Sequence, residues 1–102
     1  MKLTTILLAA ALMSSACYAE AEEMATCSDI ASLAGAVMKN RQTGVEMAVV
    51  LELVSKSTVS DIATPMVIAA YEKPRFGTTE YQQRSISDFK NEIMLSCVKG
   101  AN

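Results

Sequence analysis

The sequence contains no histidine and no tryptophan. Without an imidazole, none of its serines has the usual base that activates a hydroxyl nucleophile, and the common zinc and copper sites lose their main ligand. The four glycines are scattered, so the chain has no glycine-rich loop of the kind that cradles phosphates. Carboxylate pairs can hydrolyse glycosides, but a chain of 102 residues has little room for a deep substrate cleft. These absences predict a protein that is not an enzyme and uses no cofactor or metal.

The first 19 residues have the layout of a secretory signal peptide. Lys2 is a short basic start, residues 3–13 are apolar, and the segment ends on the small-residue sequence Cys17-Tyr18-Ala19. Cleavage after Ala19 predicts a single mature domain of residues 20–102 in the periplasm. Two alternatives stay open: residues 3–19 form a permanent membrane anchor, or Cys17 carries a lipid, although Ser14 stands where lipoproteins usually have leucine.

The mature chain is expected to be mildly acidic. Once Lys2 is removed, eight of the nine basic residues remain against eleven acidic ones, so the net charge is −3. Such a charge argues against nucleic acid and anionic membrane surfaces as partners. No segment after residue 19 is long enough to span a membrane. The expected partner is a protein that the sequence does not identify, and homodimerisation is left open.

Two cysteines, Cys27 and Cys97, remain in the mature chain. In an oxidising compartment they are expected to form a disulfide, which would close a loop of 71 residues and stabilise the folded state by about 4 kcal/mol. The alternative is a pair of buried free thiols.

Apolar residues recur at steps of three and four in four segments, which predicts four helices. The first is expected at about 23–42, the second at about 45–56 and the fourth at about 80–98, while the third begins near Ser57 and bends at Pro65. A shorter third helix capped by Thr64 is the alternative, and the β-branched content of residues 45–54 keeps a strand open there. The small residues Ala34-Gly35-Ala36 predict a close helix crossing.

The helix ends carry local signals. Gly44 suits a left-handed residue that ends the first helix, and Gly100 is expected just beyond the last one. Capping boxes are predicted at Thr43 with Glu46, Thr58 with Asp61, and Thr79 with Gln82.

The expected fold is a compact all-α bundle of four short helices, with one disulfide joining the first helix to the last. Each cysteine lies on an apolar stripe, near the start of the first helix or the end of the fourth. Since a disulfide needs α-carbons within about 7 Å, these two ends must meet.

The candidate partner-binding surface surrounds the loop between the third and fourth helices, where aromatic rings, arginines and a proline gather, a mixture enriched at protein interfaces. Its members are Tyr71, Pro74, Arg75, Phe76, Tyr81 and Arg84. Alternatively, Tyr71 and Phe76 close the core and the arginines are solvated. Arg41 falls on a buried stripe, where it is expected to pair with an acid such as Asp88 or to cap carbonyl groups at a helix end.

The mature chain resembles a group of small, uncharacterised exported proteins of Gram-negative bacteria and their prophages. The resemblance rests on residues spread over 24–98, namely Cys27, Arg41-Gln42-x-Gly44, Ala70-Tyr71-Glu72-x-Pro74, Arg84, Phe89 and Cys97. It implies no activity. The size, the single disulfide and the Thr64-Pro65 junction are more loosely similar to periplasmic acid-stress chaperones of the HdeA type.

Two functions follow as expectations. The first is a secreted or periplasmic, non-enzymatic protein-interaction module. The alternative is an acid-activated chaperone of the HdeA type, whose switch would have to use carboxylates near pH 4 or below because histidine is absent.

Overall fold

The computed structural model describes residues 26–100, which form four α-helices and no strand. The described part of α1 covers residues 26–43, and it is followed by α2 (Met47–Ser55), α3 (Ser60–Glu72) and α4 (Thr79–Gly100). The predicted all-α bundle is confirmed, and the strand alternative for residues 45–54 is wrong. The predicted signal peptide and the alternatives at residues 3–19 and Cys17 lie outside the described residues.

Helices α1 and α4 lie antiparallel along their length. Cys27 at the start of α1 is bonded to Cys97 near the end of α4, and the Gln42 amide at the end of α1 reaches the hydroxyl of Ser85 near the start of α4. Between these points, the α-carbon of Gly35 lies so close to the Lys90 side chain that an added β-carbon would come within 2.7 Å of its Cδ. The small residues of α1 therefore permit the predicted close crossing, and the partner helix is α4.

One core fills the space between the four helices. The buried positions follow helical spacing on each element, which is why these segments are stable as helices only when packed together. Its buried members are Ala34, Val37, Met38, Val50, Val54, Ala63, Met66, Val67, Ala70 and Phe89. Helix α4 is attached mainly through Phe89, which is its one buried residue in the described chain, while Ile86 and Ile93 pack against the core from half-buried positions.

Helix α3 contains Pro65 in its interior, as the unbroken apolar stripe predicted. It begins at Ser60 rather than near Ser57, because residues 56–59 form turns in which the Ser57 amide donates to the Val54 carbonyl. Helix α4 extends through Gly100, which was expected just beyond its end. The core does not bury the whole apolar stripe of α3, because Ile62 is about half exposed.

The end of α1 is a complete Schellman motif. Gly44 has a φ of +88°, its amide donates to the Arg41 carbonyl at 3.3 Å, and the Val45 amide donates to the Asn40 carbonyl at 2.9 Å. The predicted left-handed glycine is confirmed. This turn reverses the chain into α2.

The capping boxes predicted for α2 and α3 are wrong. The Thr43 hydroxyl donates to the Lys39 carbonyl within its own helix at 2.8 Å, so it is unavailable to α2, whose first turn follows Glu46 without a side-chain cap. Helix α3 is preceded by Val59 rather than Thr58 and likewise has no side-chain cap.

The start of α4 is capped one residue earlier than expected. The hydroxyl of Thr78 accepts from the Tyr81 amide at 3.3 Å, and Thr79 is already helical. Gln82, the expected partner of Thr79, instead donates through its side-chain amide to the Phe76 carbonyl at 2.8 Å.

The Cys27–Cys97 disulfide is present, with α-carbons 5.6 Å apart. The predicted contact between the start of the first helix and the end of the last is therefore confirmed. None of the helices described between residues 26 and 100 is long and apolar enough to cross a membrane.

Candidate functional site

A buried glutamine holds the α3–α4 loop against the rest of the bundle. Gln42 is fully buried, and its side-chain nitrogen donates to the Pro74 carbonyl at 2.9 Å and the Ser85 hydroxyl at 3.2 Å. Its side-chain oxygen accepts from the Phe76 amide at 2.8 Å, and the Met38 sulfur lies 3.5 Å from the nitrogen. Both amide hydrogens and the carbonyl are thus satisfied. One side chain therefore fixes α1, the loop and α4 relative to each other.

Two arginines cap each other's helix ends across this junction. Arg41, at the end of α1, donates through Nε to the carbonyl of Lys73 at the end of α3, 3.1 Å away. Arg75, just after α3, donates through Nε to the carbonyl of Gln42 at the end of α1, also at 3.1 Å. Each guanidinium meets the negative end of a helix dipole, an arrangement that stabilises both ends. Arg41 thus caps one carbonyl group, and the ion pairs among residues 26–100 do not join it to Asp88.

Tyr71 belongs to this supporting layer rather than to an open surface. It is half-buried, its hydroxyl donates to the Val45 carbonyl at 2.6 Å, and the Arg41 guanidinium lies 5.4 Å from its ring centroid. Burial raises the pKa of the Tyr71 phenol above its ordinary value, and the charge of Arg41 partly opposes that rise.

A groove of about 330 Å³ opens on the outer side of the loop and will be called the aromatic groove. Its lining residues are Lys73, Pro74, Phe76, Tyr81, Arg84, Ser85, Asp88, Phe89 and Glu92. Phe76 and Tyr81 are 37% and 52% exposed, and their ring centroids are 5.9 Å apart. Two exposed rings side by side form an apolar surface that hydrogen bonds to Gln42 and Gln82 hold in place from behind.

The six residues predicted for partner binding divide into two groups. Pro74, Phe76, Tyr81 and Arg84 share the aromatic groove, so the structure brings them together. Tyr71 and Arg75 do not line it, because their polar groups are bonded to the backbone behind the loop.

The sequence contained a signal for the residue that organises the site. Gln42 lies four residues after the buried Met38, so it continues the apolar stripe of α1 with a polar side chain. A polar residue at a core position has to find hydrogen-bond partners. Its partners, however, lie 32 to 43 positions away in the chain, and no local pattern indicates them.

An apolar groove lies at the opposite, disulfide end of the bundle. One part has a volume of about 360 Å³ and the adjoining part about 390 Å³, and the two share Ile30 and Ile62. Pro65, Ile93 and Cys97 line the first part, so the disulfide borders it. Among residues 26–100, no group of acidic or cysteine side chains is arranged to hold a metal ion.

The comparisons with known proteins identify no relative. No family model, no curated protein and no solved structure shows significant similarity to the chain.

Proposed function

We propose that this protein is an exported, periplasmic, non-enzymatic interaction module that binds another protein through the aromatic groove. The observation that carries the proposal is the exposed pair Phe76 and Tyr81, 5.9 Å apart at a groove beside Arg84. Aromatic residues and arginine are enriched at interface centres, where they contribute most of the binding energy.

The way in which the loop is held supports the same proposal. Gln42 hydrogen-bonds both sides of the loop, at the Pro74 carbonyl and the Phe76 amide, and Gln82 holds the Phe76 carbonyl. A surface that is already ordered loses less conformational entropy on binding.

The proposed location rests on the signal-peptide layout of residues 1–19, and the disulfide is compatible with it. A disulfide persists in oxidising compartments such as the periplasm. Fractionation of producing cells with N-terminal sequencing tests this: a periplasmic chain beginning at Glu20 is expected. A membrane-bound chain that keeps residues 1–19, or one modified at Cys17, would contradict it.

The binding surface is tested by site-specific photo-crosslinking in producing cells. A photoreactive residue at Tyr81 is expected to give a discrete protein adduct, while the same residue at Leu53, which is 62% exposed but outside the groove, gives none. The adduct should disappear when Phe76→Ala is added, and an adduct of twice the chain mass would identify a second copy as the partner. Identical adducts from both positions would refute the proposal.

The apolar groove favours a second candidate, a chaperone activated by acid. It joins about 360 and 390 Å³ of mainly apolar space at the disulfide end, a surface suited to unfolded clients. Below about pH 3, where carboxylates are generally protonated, this candidate predicts increased binding of an apolar dye and suppression of client aggregation. Ile62→Lys, whose charge persists in acid, should abolish both effects, and Phe76→Ala should leave them unchanged.

A further inference from the structure

One charged side chain of the aromatic groove, among the residues that the structure describes, has no charged partner. Lys73 pairs with Glu92, with 3.1 Å between nitrogen and oxygen, and Arg84 pairs with Glu80 at the same distance. Asp88 lines the groove between these two pairs, and in the described part of the chain it has neither an ion-pair nor a hydrogen-bond partner. Among the charged side chains that line the groove, Asp88 is therefore the one left unpaired.

The rings of the groove already attract cations from the protein itself. Lys73 lies 5.8 Å from the ring centroid of Phe89, and the Arg84 guanidinium lies 5.7 Å from that of Tyr81. Within residues 26–100, Phe76 is the groove ring that has no cation against it, and it is 37% exposed. A partly exposed ring without a cation and an unpaired carboxylate are thus present in one groove of about 330 Å³.

We infer that the aromatic groove binds a basic segment of a partner protein by accepting an arginine side chain, which stacks on Phe76 and pairs with Asp88. Arginine fits better than lysine, because its planar guanidinium stacks on aromatic rings and can donate two parallel hydrogen bonds to one carboxylate. The inference rests on the proposed function and specifies the chemistry of its partner.

Peptide titration followed by NMR tests this chemistry directly. The oxidised, ¹⁵N-labelled protein is titrated with acetylated and amidated Gly-Arg-Gly-Arg-Gly, and with matched peptides in which lysine or glutamate replaces arginine. The arginine peptide is expected to shift amide signals of the groove residues, more weakly as salt increases. The lysine peptide should bind less well and the glutamate peptide least.

Variants locate the binding. Asp88→Asn and Phe76→Ala are each expected to weaken binding of the arginine peptide about fivefold, as for an exposed ion pair or cation–π contact. Asp61→Asn is the matched control, because it removes an exposed carboxylate from the first turn of α3, outside the groove, and should change nothing. Amide spectra of all three variants show whether the fold is retained.

Three results would overturn the inference: equal or tighter binding of the glutamate peptide, no binding of any peptide, or an equal effect of Asp88→Asn and Asp61→Asn. These results are distinct from failure of the proposed function. If the crosslink from Tyr81 persists in cells while no arginine peptide binds, the interaction module stands and its preference for arginine is wrong. If the crosslink is also absent, both proposals fail.

Discussion

Gln42 shows how one buried polar side chain can determine the shape of a surface. An uncompensated amide in a core is costly, but here every polar atom of the side chain is bonded. Its partners are the backbone on either side of Arg75 and the hydroxyl of Ser85. Together with the bonds that Arg75 and Gln82 make, these hydrogen bonds set the conformation of the loop and hence the position of Phe76.

Replacing Gln42 with alanine is expected to lower the free energy of unfolding by about 2 kcal/mol. The Pro74 carbonyl, the Ser85 hydroxyl and the Phe76 amide would each lose a hydrogen bond at partly buried positions. Gln83→Ala removes the same side chain from an exposed position of α4 and should change it by less than about 0.5 kcal/mol. Urea unfolding measures both values. Equal effects would show that the buried amide does not hold the junction.

The raised pKa of Tyr71 predicts a loss of stability in alkali. The unfolded chain releases the phenol proton at the ordinary pKa of 10.0, while burial makes the folded protein keep it to higher pH. The folded state then binds more protons, so the free energy of unfolding falls as pH rises through and above that value. Below it, both states are protonated and Tyr71 adds no pH dependence.

Tyr71→Phe isolates this effect. The variant is less stable at neutral pH because it lacks the hydrogen bond to the Val45 carbonyl, but its stability should fall less steeply as pH rises past 10.0. Ser57→Ala, which removes a hydroxyl that donates to the Val54 carbonyl but does not titrate, serves as the control and should keep the wild-type slope. Chemical unfolding at a series of pH values measures the slopes, and identical slopes for all three proteins would contradict the assignment.

At the scale of the helices, the features predicted correctly from the sequence are those that depend on residues close together in the chain. Apolar spacing located all four helices. The residues that it places on one face, such as Ala63, Val67 and Ala70, are only three or four positions apart, so the pattern is visible in a short stretch of sequence. Gly44 was predictable for the same reason, as a left-handed residue between two helical stripes.

The failures at this scale arise from competition and from distant contacts. Thr43 was expected to cap α2, but its hydroxyl donates instead to the Lys39 carbonyl in its own helix. Arg41 was expected near an acid of α4, but the helix end at Lys73 offered a carbonyl with negative polarity. Neither choice can be read from spacing, because each depends on which of several suitable partners the packed bundle brings closer.

The turn at Gly44 gives a prediction for the α1–α2 connection. Gly44→Ala is expected to lower the free energy of unfolding by about 1–2 kcal/mol, because a β-carbon is disfavoured at a φ of +88°. The added carbon would also come within 2.9 Å of the Arg75 guanidinium and displace that helix cap. Thermal or urea unfolding measures the loss.

Gly77→Ala provides the matched control for this turn. Gly77 has no positive φ, and no atom of residues 26–100 lies within 4 Å of an added β-carbon, so alanine there should be neutral or stabilise by up to about 1 kcal/mol. If both substitutions destabilised equally, the backbone conformation of Gly44 would not be the cause.

Over the whole molecule, different interactions join the helices at the two ends of the bundle. The disulfide joins α1 to α4 at one end, beside the apolar groove. Gln42 and the crossed arginines Arg41 and Arg75 join α1, α3 and α4 at the other, beneath the aromatic groove. Phe89 is the main apolar contact of α4 between them. The covalent restraint is thus separate from the proposed binding surface.

This separation predicts that losing the disulfide should weaken the fold more than the site. A Cys27→Ala, Cys97→Ala double variant is expected to lose about 4 kcal/mol of unfolding free energy, since the disulfide closes a long loop in the unfolded chain. Under conditions where the variant is folded, its amide signals should change near the disulfide but not at Phe76 and Asp88. Its affinity for the arginine peptide should equal that of the oxidised protein. Shifted groove signals, or a weaker affinity in the folded variant, would show instead that the disulfide positions the groove through α4.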